Sequence, residues 1–319
     1  MKKIFSILTA AAMTFTMAAS AFAAFPDMPA GEDGAVLQRA VDNGLISGFE
    51  DGTVQPNTPI TRAQMATIMS RAMNATDVAD LSVFVDVDAD DWFYDAMGKA
   101  VAMEAFKGDD KSKLNPNNTI TRQEAMIVLS RIFDMPQADA SVLDVFPDGG
   151  TVASWALKEV SSVCAGGYLS DVKELRPLQP MTRLEFAQIM DKIVKQYIDA
   201  DGEYTALSGN VLVRAQNVKF TGVKGNFNAY TGDGVNGSVE FTDCDFNNVI
   251  IRGGRAVMNS GAYSRIRAIG SNTIIDLKVS TKNLLKKDAD GNVYSVYAKP
   301  GKGIITQPTL EINIDMSEK

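Results

Sequence analysis

Three segments of the 319-residue chain, about sixty residues apart, carry nearly the same text: Ile60-Thr61-Arg62-Ala63-Gln64, Ile120-Thr121-Arg122-Gln123-Glu124 and Met181-Thr182-Arg183-Leu184-Glu185. A repeat at fixed spacing makes each copy one supersecondary unit that must bury its apolar face against its neighbours. The likeness runs beyond the motif. A proline stands six residues before each Arg (Pro56, Pro116, Pro177), a basic residue nine after it (Arg71, Arg131, Lys192), and an aromatic-x-Asp opens each copy (Phe25, Phe84 and Phe146, with Asp27, Asp86 and Asp148). The units are bounded at 24–80, 81–140 and 141–198.

Within a unit the pattern reads helix, loop, helix. Phe93, Met97, Ala100, Val101 and Phe106 recur at helical spacing after Trp92. In the first copy Gly44 to Thr53 is a glycine-rich turn, Pro56 stiffens an extended connection, and a second helix starts at the Thr of the motif with Met65, Ile68, Met69 and Ala72 on its apolar face. Thr-x-x-Gln/Glu ahead of an apolar run is a capping box, predicted in all three copies. The Arg inside it is the odd residue, since a cation in the first helical turn opposes the helix dipole by about 0.3–1 kcal/mol. Two compensations are open: an ion pair with an Asp of a neighbouring unit (Asp27, Asp86 or Asp148), or an external carboxylate or phosphate held at the helix N-terminus.

Residues 1–23 have the form of an export signal: Lys2 and Lys3, an apolar run from Ile4 to Ala19, then Ala21-Phe22-Ala23 as a small-x-small cleavage site. No later stretch reaches the ~20 apolar residues of a spanning helix, so the mature protein is expected to be exported and not membrane-spanning, and the C-terminal residues suggest no sorting tail. Residues 24–202 hold 15 basic and 28 acidic residues, whereas 203–319 hold 14 and 11. An acidic first half without a Lys/Arg stripe argues against nucleic acid. Cys164 and Cys244 fall in separate segments and read as buried apolar residues rather than a disulfide framework.

Gly48-Phe49-Glu50-Asp51-Gly52-Thr53-Val54-Gln55-Pro56, followed by Ile60 to Gln64, resembles the signature of the S-layer homology domain, and three tandem copies behind a signal peptide resemble that family's usual arrangement. The resemblance covers about 175 residues. It implies an all-α, pseudo-three-fold bundle with one helix per repeat in a central trio and grooves between repeats. It implies non-covalent attachment to a cell-wall polysaccharide, often a pyruvylated secondary polymer whose ketal carboxylate the arginines would read, and it allows self-assembly in a surface layer. Carried over by position, the ligand-binding residues are Arg62, Arg122 and Arg183 with the loop residues Gly48, Asp51, Gly52 and Thr53, and the groove served by Gly48 to Arg62 is expected to be the best site. No cofactor or metal is implied. The first copy departs by having Gln64 where Glu is usual and by lacking the tryptophan found at Trp92 and Trp155, and Asp-Gly-Thr occurs in that copy alone. The net negative charge of the bundle means that binding must be local, through a bidentate fork. Trp92 and Trp155 could stack on sugar, but their place at helix starts favours packing.

After a polar linker (199–208), residues 209–319 change character. Short runs rich in Val, Ile, Phe and Asn recur every twenty residues or so, punctuated by Gly: 210–213, 218–221, 238–242, 248–251, 265–268 and 273–276. This rhythm predicts an all-β domain, a small right-handed parallel β-helix, with a β-sandwich as the alternative. The chain contains no histidine, which removes the Ser-His-Asp and Cys-His arrangements. Asp243 and Asp245, with Arg252, Arg255, Arg265 and Arg267, are the available groups for a wall-anchored glycosidase or polysaccharide lyase. A solvated strand face is the plainer account, and a non-enzymatic structural or adhesive role is expected for this half.

Overall fold

The computed structural model describes residues 25–269 and 273–277, and the backbone of strands at 284–287, 293–296, 303–305 and 311–314. The export signal expected over 1–23 lies outside the described residues. Six α-helices come first: α1 (Gly31–Asp42), α2 (Arg62–Ala72), α3 (Tyr94–Ala102), α4 (Arg122–Ile132), α5 (Leu157–Ala165) and α6 (Arg183–Ile193). Thr61, Thr121 and Thr182 cap α2, α4 and α6, and all three capping boxes are complete. The expected apolar face of α2 (Met65, Ile68, Met69, Ala72) is buried, as are Met97 and Ala100 of α3 and Phe106 beyond it. No described helix is long and apolar enough to cross a membrane.

The units close on one another in a ring. Each unit's second helix packs against the first helix of the next, α2 on α3, α4 on α5, and α6 back on α1. The hub is a cycle of backbone hydrogen bonds: Ile60 N–H donates to Met181 O (3.0 Å), Met181 N–H to Ile120 O (2.9 Å) and Ile120 N–H to Ile60 O (2.9 Å). All three side chains are fully buried. Three extended segments, one residue before each N-cap, thus satisfy one another's backbone groups in the core, where an unpaired amide is costly.

A parallel β-solenoid comes next. Its strands are β1 (Gln196–Ile198), β2 (Gly202–Tyr204), β3 (Val211–Val213), β4 (Asn217–Thr221), β5 (Lys224–Thr231), β6 (Ser238–Thr242), β7 (Cys244–Ile251), β8 (Gly254–Met258), β9 (Gly261–Ala268) and β10 (Thr273–Leu277). They alternate between two sheets, β1-β3-β5-β7-β9 and β2-β4-β6-β8-β10, parallel throughout. The register steps from Val211 to Ala229 to Val249 to Ile266, one coil each time. Further strands, β11 (Leu284–Lys287), β12 (Val293–Val296), β13 (Gly303–Ile305) and β14 (Glu311–Ile314), join both sheets antiparallel. The β-helix is therefore the observed form and the sandwich is not. The strands begin ahead of the expected boundary at 209: β1 and β2 lie at 196–198 and within 199–208, so the segment expected as linker is part of the first coil.

Inside the coils Phe220, Phe241, Phe246 and Tyr263 stack edge-on or tilted, with neighbouring ring centroids 5.3–6.2 Å apart. Along the first sheet Asn210, Asn228 and Asn248 form a ladder in which the Asn210 and Asn228 side-chain oxygens accept the next asparagine's backbone N–H, at 2.8 and 3.2 Å. Cys244 is buried and Cys164 partly buried, both free thiols, and burial raises both pKa values.

The solenoid sits on the C-terminal end of the helix ring. Leu212, Tyr230 and Ile250 point out of the first sheet into the bundle core, and Tyr230 meets Phe133 edge-on at 4.9 Å. Arginines of the acid-poor half cap the helix ends, where orphan carbonyls and the negative dipole end gather. Arg214 donates to Asn43 O (3.0 Å), Arg252 to Ile132 O and Met103 O (both 3.2 Å), and Arg265 to Asp134 O (2.8 Å).

Candidate functional site

The motif arginines stand at the opposite end of the central helices, each at the first helical position. Ring closure decides what each one meets. Arg62 Nε donates to Leu114 O (2.7 Å), Arg122 Nε to Leu175 O (2.6 Å) and Arg183 Nε to Val54 O (2.7 Å). Every arginine therefore crosses to the loop of the next repeat, and the third crosses to the first. Arg62 also lies over the Phe106 ring (5.1 Å) and Arg183 over Phe49 (4.7 Å).

The loop from Gly48 to Val54 consequently faces Arg183, not Arg62, which corrects the expected pairing of Gly48, Asp51, Gly52 and Thr53 with Arg62. Their roles are legible one by one. A Cβ on Gly48 would stand 2.3 Å from the Phe25 ring, so only glycine lets the loop close on that aromatic. Gly52 has φ +78, a left-handed turn position. Asp51 Oδ1 accepts the Thr53 N–H at 2.9 Å, and its bonds from the Thr53 hydroxyl and N–H hold its carboxyl below the ordinary value. These residues shape the turn that presents the Val54 and Ser47 carbonyls to Arg183.

The helix N-termini are occupied. The N–H groups of Arg62 and Ala63 donate to Asn118 O and Pro116 O, those of Arg122 and Gln123 to Gln179 O and Pro177 O, and those of Arg183 and Leu184 to Thr58 O and Pro56 O. The third donor goes to the capping Thr. An external anion thus finds no free helix-end amides there, and any anion chemistry falls to the guanidinium groups.

The expected Asp partners are also engaged elsewhere. Asp27, Asp86 and Asp148 each accept two loop N–H groups of their own repeat: Val54 and Gln55, Leu114 and Asn115, Leu175 and Arg176. Burial pushes the Asp27 and Asp148 carboxyls up, but those backbone donors win and hold both below the ordinary range. The carboxylates that do meet the arginines are the capping-box glutamates of the next repeat, Glu124 with Arg62 (3.3 Å) and Glu185 with Arg122 (2.8 Å).

The three grooves are therefore not equivalent in charge. Between repeats one and two, Arg62 is matched by Glu124. Between repeats three and one, Gln64 occupies the glutamate position, and Arg183, only 7 % exposed, has no ion-pair partner among the described residues. Between repeats two and three, Arg122 and Arg176 both bind Glu185 Oε1 (2.8 and 2.7 Å), two cations on one carboxylate. That groove opens into a cavity of 590 Å³ between the 171–176 loop and α6.

Trp92 and Trp155 are 67 % and 60 % exposed, against the packing expected of them. In the solenoid Asp243 lies at a left-handed turn position (φ +52) ahead of β7, and Lys224 binds both Asp243 and Asp245, at 2.7 and 3.3 Å. Arg252 is held by Asp233 and the bundle, Arg255 by Asp276, and Arg265 and Arg267 by Asp134. The arginines and aspartates that the sequence offers as one candidate set are thus spread over several separate ion pairs.

Fold and site together define a modular protein, a closed ring of helical repeats with arginine-lined grooves carried on a β-solenoid. Two of its repeats match a known signature: the sequence profile of the S-layer homology domain matches residues 24–66 and 83–126. The chain is 32 % identical over 170 residues to the Surface-layer 125 kDa protein of Lysinibacillus sphaericus, covering 51 % of this chain and 14 % of that protein. It is 31 % identical over 156 residues to the Surface layer protein of Brevibacillus choshinensis (46 % and 14 %) and 26 % identical over 160 residues to the Amylopullulanase of Thermoanaerobacterium thermosulfurigenes (49 % and 8 %). The chain thus spans about a seventh or less of the length of these relatives.

Proposed function

We propose that this is an exported cell-surface protein held non-covalently to a carboxylate-bearing cell-wall polysaccharide through the grooves between its repeats, with 141–198 acting as a third S-layer homology repeat beside the two that match. The observation that carries this reading is the charge of two grooves: Arg183 has no ion-pair partner among the described residues and only the more distant Asp27 carboxylate to support it, and Arg122 and Arg176 share Glu185. A buried guanidinium without a counter-ion is costly to keep and is relieved by an anionic ligand. The names of the relatives, surface-layer proteins among them, agree with a surface location, and the resemblance supplies a pyruvylated secondary polymer as the partner. Arg62, Arg122 and Arg183, with the loop of Gly48, Asp51, Gly52 and Thr53, are the proposed binding residues, weighted toward Arg122 and Arg183.

The solenoid we read as a non-enzymatic structural or adhesive element, because Asp243 and Asp245 are tied to Lys224 on an exposed face, Arg252, Arg265 and Arg267 serve the docking contacts, and Arg255 pairs with Asp276. Co-sedimentation with purified cell walls, intact and chemically depyruvylated, tests the anchoring. Retention on intact walls that is lost on depyruvylated ones is expected, and equal retention on both overturns the carboxylate partner.

A further inference from the structure

At the pole where the solenoid rests, each pair of packed helices ends against the coils. Two of these three junctions are filled. At α6 and α1, Arg214 lies over the Tyr197 ring (4.9 Å), and a cavity of only 20 Å³ is left. At α4 and α5, the buried Tyr168 hydroxyl accepts the Asn228 side-chain N–H at 3.4 Å. At α2 and α3 a cavity of 330 Å³ stays open between the helix ends and the coils.

The residue that sets this junction apart is Glu104. The position after the C-cap is left-handed at the end of each repeat's first helix: Gly44 (φ +72) after α1, Glu104 (φ +59) after α3 and Gly167 (φ +77) after α5. Glycine is the usual residue there because a Cβ strains that conformation. A carboxylate is disfavoured for a second reason, since the C-terminal end of a helix is its negative pole. No group of the protein offsets either effect: the Glu104 carboxylate has no hydrogen-bond or ion-pair partner among the described residues. The same is true of the Lys107 ammonium three residues on, and both line the cavity. The other charges of the wall are engaged. Arg252 binds Asp233, Arg267 shares Asp134 with Arg265, Arg131 faces Glu159, and Asp77 accepts from the Thr76 hydroxyl at 3.5 Å.

We propose that this cavity is a binding site, separate from the grooves, for a zwitterion of about dipeptide size, with Glu104 holding its ammonium and Lys107 its carboxylate. An ammonium answers both anomalies of Glu104, because it neutralises the carboxylate and is the charge that a helix C-terminus attracts. The wall bears four carboxylates and four cations, and the neighbouring Glu159 and Arg265 keep that balance. A ligand with no net charge preserves it, whereas a simple anion or cation satisfies only one of the two unpaired groups. The volume falls within the ~300–1,000 Å³ common to small-molecule sites. Ala75, Ala102 and Ile269 give small side chains an apolar wall. Backbone strain kept beside a cavity is the kind that function maintains.

The test is calorimetric titration of the full chain with the four stereoisomers of alanylalanine, and with the N-acetyl and C-amide forms of the tightest one. At least one stereoisomer should bind saturably, and either cap should weaken it about tenfold or more. Glu104→Gln should lose about tenfold for the free dipeptide and become indifferent to N-acetylation, and Lys107→Gln should do the same for amidation. Glu104→Gly should lose binding as Glu104→Gln does while raising the thermal unfolding midpoint, because glycine relieves the left-handed turn. No saturable binding by any stereoisomer, or binding that either cap leaves unchanged, overturns the site. A Glu104→Gly protein that keeps full affinity, or that unfolds at a lower temperature, overturns the role given to Glu104. Wall co-sedimentation keeps the two proposals apart. A chain that sediments with walls but binds no dipeptide overturns this site alone, and the reverse result overturns anchoring alone.

Discussion

Changing Gln64 to Glu should close the groove between repeats three and one. Gln64 Oε1 accepts the Thr61 N–H at 2.9 Å, the contact that Glu124 and Glu185 make in the other copies, so a glutamate keeps the capping box. By the symmetry of the ring, its second oxygen then faces Arg183 as Glu124 faces Arg62 at 3.3 Å and Glu185 faces Arg122 at 2.8 Å. Exposed ion pairs contribute about 0.2–1 kcal/mol and hydrogen bonds to charged groups about 1.5–3 kcal/mol. For a pair that is half-buried on the carboxylate side, about 1 kcal/mol of added stability is reasonable, or roughly 2–4 °C in Tm for a unit of this size. The same oxygen competes with an external carboxylate for Arg183. Losing one charge-assisted contact of about 1.4 kcal/mol corresponds to about tenfold weaker binding through that groove. Scanning calorimetry and wall co-sedimentation read the two effects. A higher Tm with undiminished wall retention would show that Arg183 does not hold the polymer, and a lower Tm would show that the ring does not bring residue 64 to Arg183. The reciprocal change, Glu124→Gln, should strip Arg62 of its partner, lower Tm by a similar amount and raise retention.

Arg252→Ala removes the donor that ties Asp233 to the ends of α3 and α4, and leaving two helix-end carbonyls and a partly buried carboxylate without it should cost about 1–3 kcal/mol, read by denaturant unfolding. Gly48→Ala drives a Cβ into the Phe25 ring and should cost about 1–3 kcal/mol, with Gly108→Ala behaving alike against Phe84; a neutral result for both would refute the packing role given to these glycines. Acid should destabilise the ring. The carboxyls of Asp27, Asp148, Glu185 and Asp191 are all depressed below ordinary values of 3.8 and 4.5, so their contribution is complete above those values and is lost as pH falls through and below them. A denaturation midpoint flat from pH 7 to about 5 and falling steeply below about 4 is expected, and a midpoint that rises on acidification contradicts the assignment.

The helices are legible in the sequence because their signals are local: a Thr cap, a Glu or Gln three residues on, and apolar residues at helical spacing lie within a dozen positions. The coils are legible in part. Strands such as Ser238–Thr242 alternate cleanly, with Val239 and Phe241 inward. The strand Lys224–Thr231 escapes recognition because Gly225, Asn226 and Asn228 break its pattern and its register shifts around Phe227. Gly254–Met258 is short and opens on a glycine with φ +77. Partnership across the grooves has no local signal at all. Arg62 lies nearer in sequence to the loop of Gly48 to Val54 than to Leu114, and only closure of the ring assigns that loop to Arg183, 129 residues from Val54. The exposure of Trp92 and Trp155 is hidden for a related reason. Phe93, next to Trp92 and 3 % exposed, takes the core position that helical periodicity would grant either aromatic.

The arginine cap that fixes the β-solenoid to the ring also sets a direction. The grooves open at the starts of α2, α4 and α6 and the solenoid rests on their ends, separated by eleven-residue helices, about 17 Å of rise. Under the anchoring proposed above, a polymer gripped at one pole would leave the other pole facing outward, joined to the grip through the contacts of Arg214, Arg252 and Arg265. A force applied to the coils would then be transmitted straight down the three central helices to the sugar, and the attachment would resist tilting as well as departure.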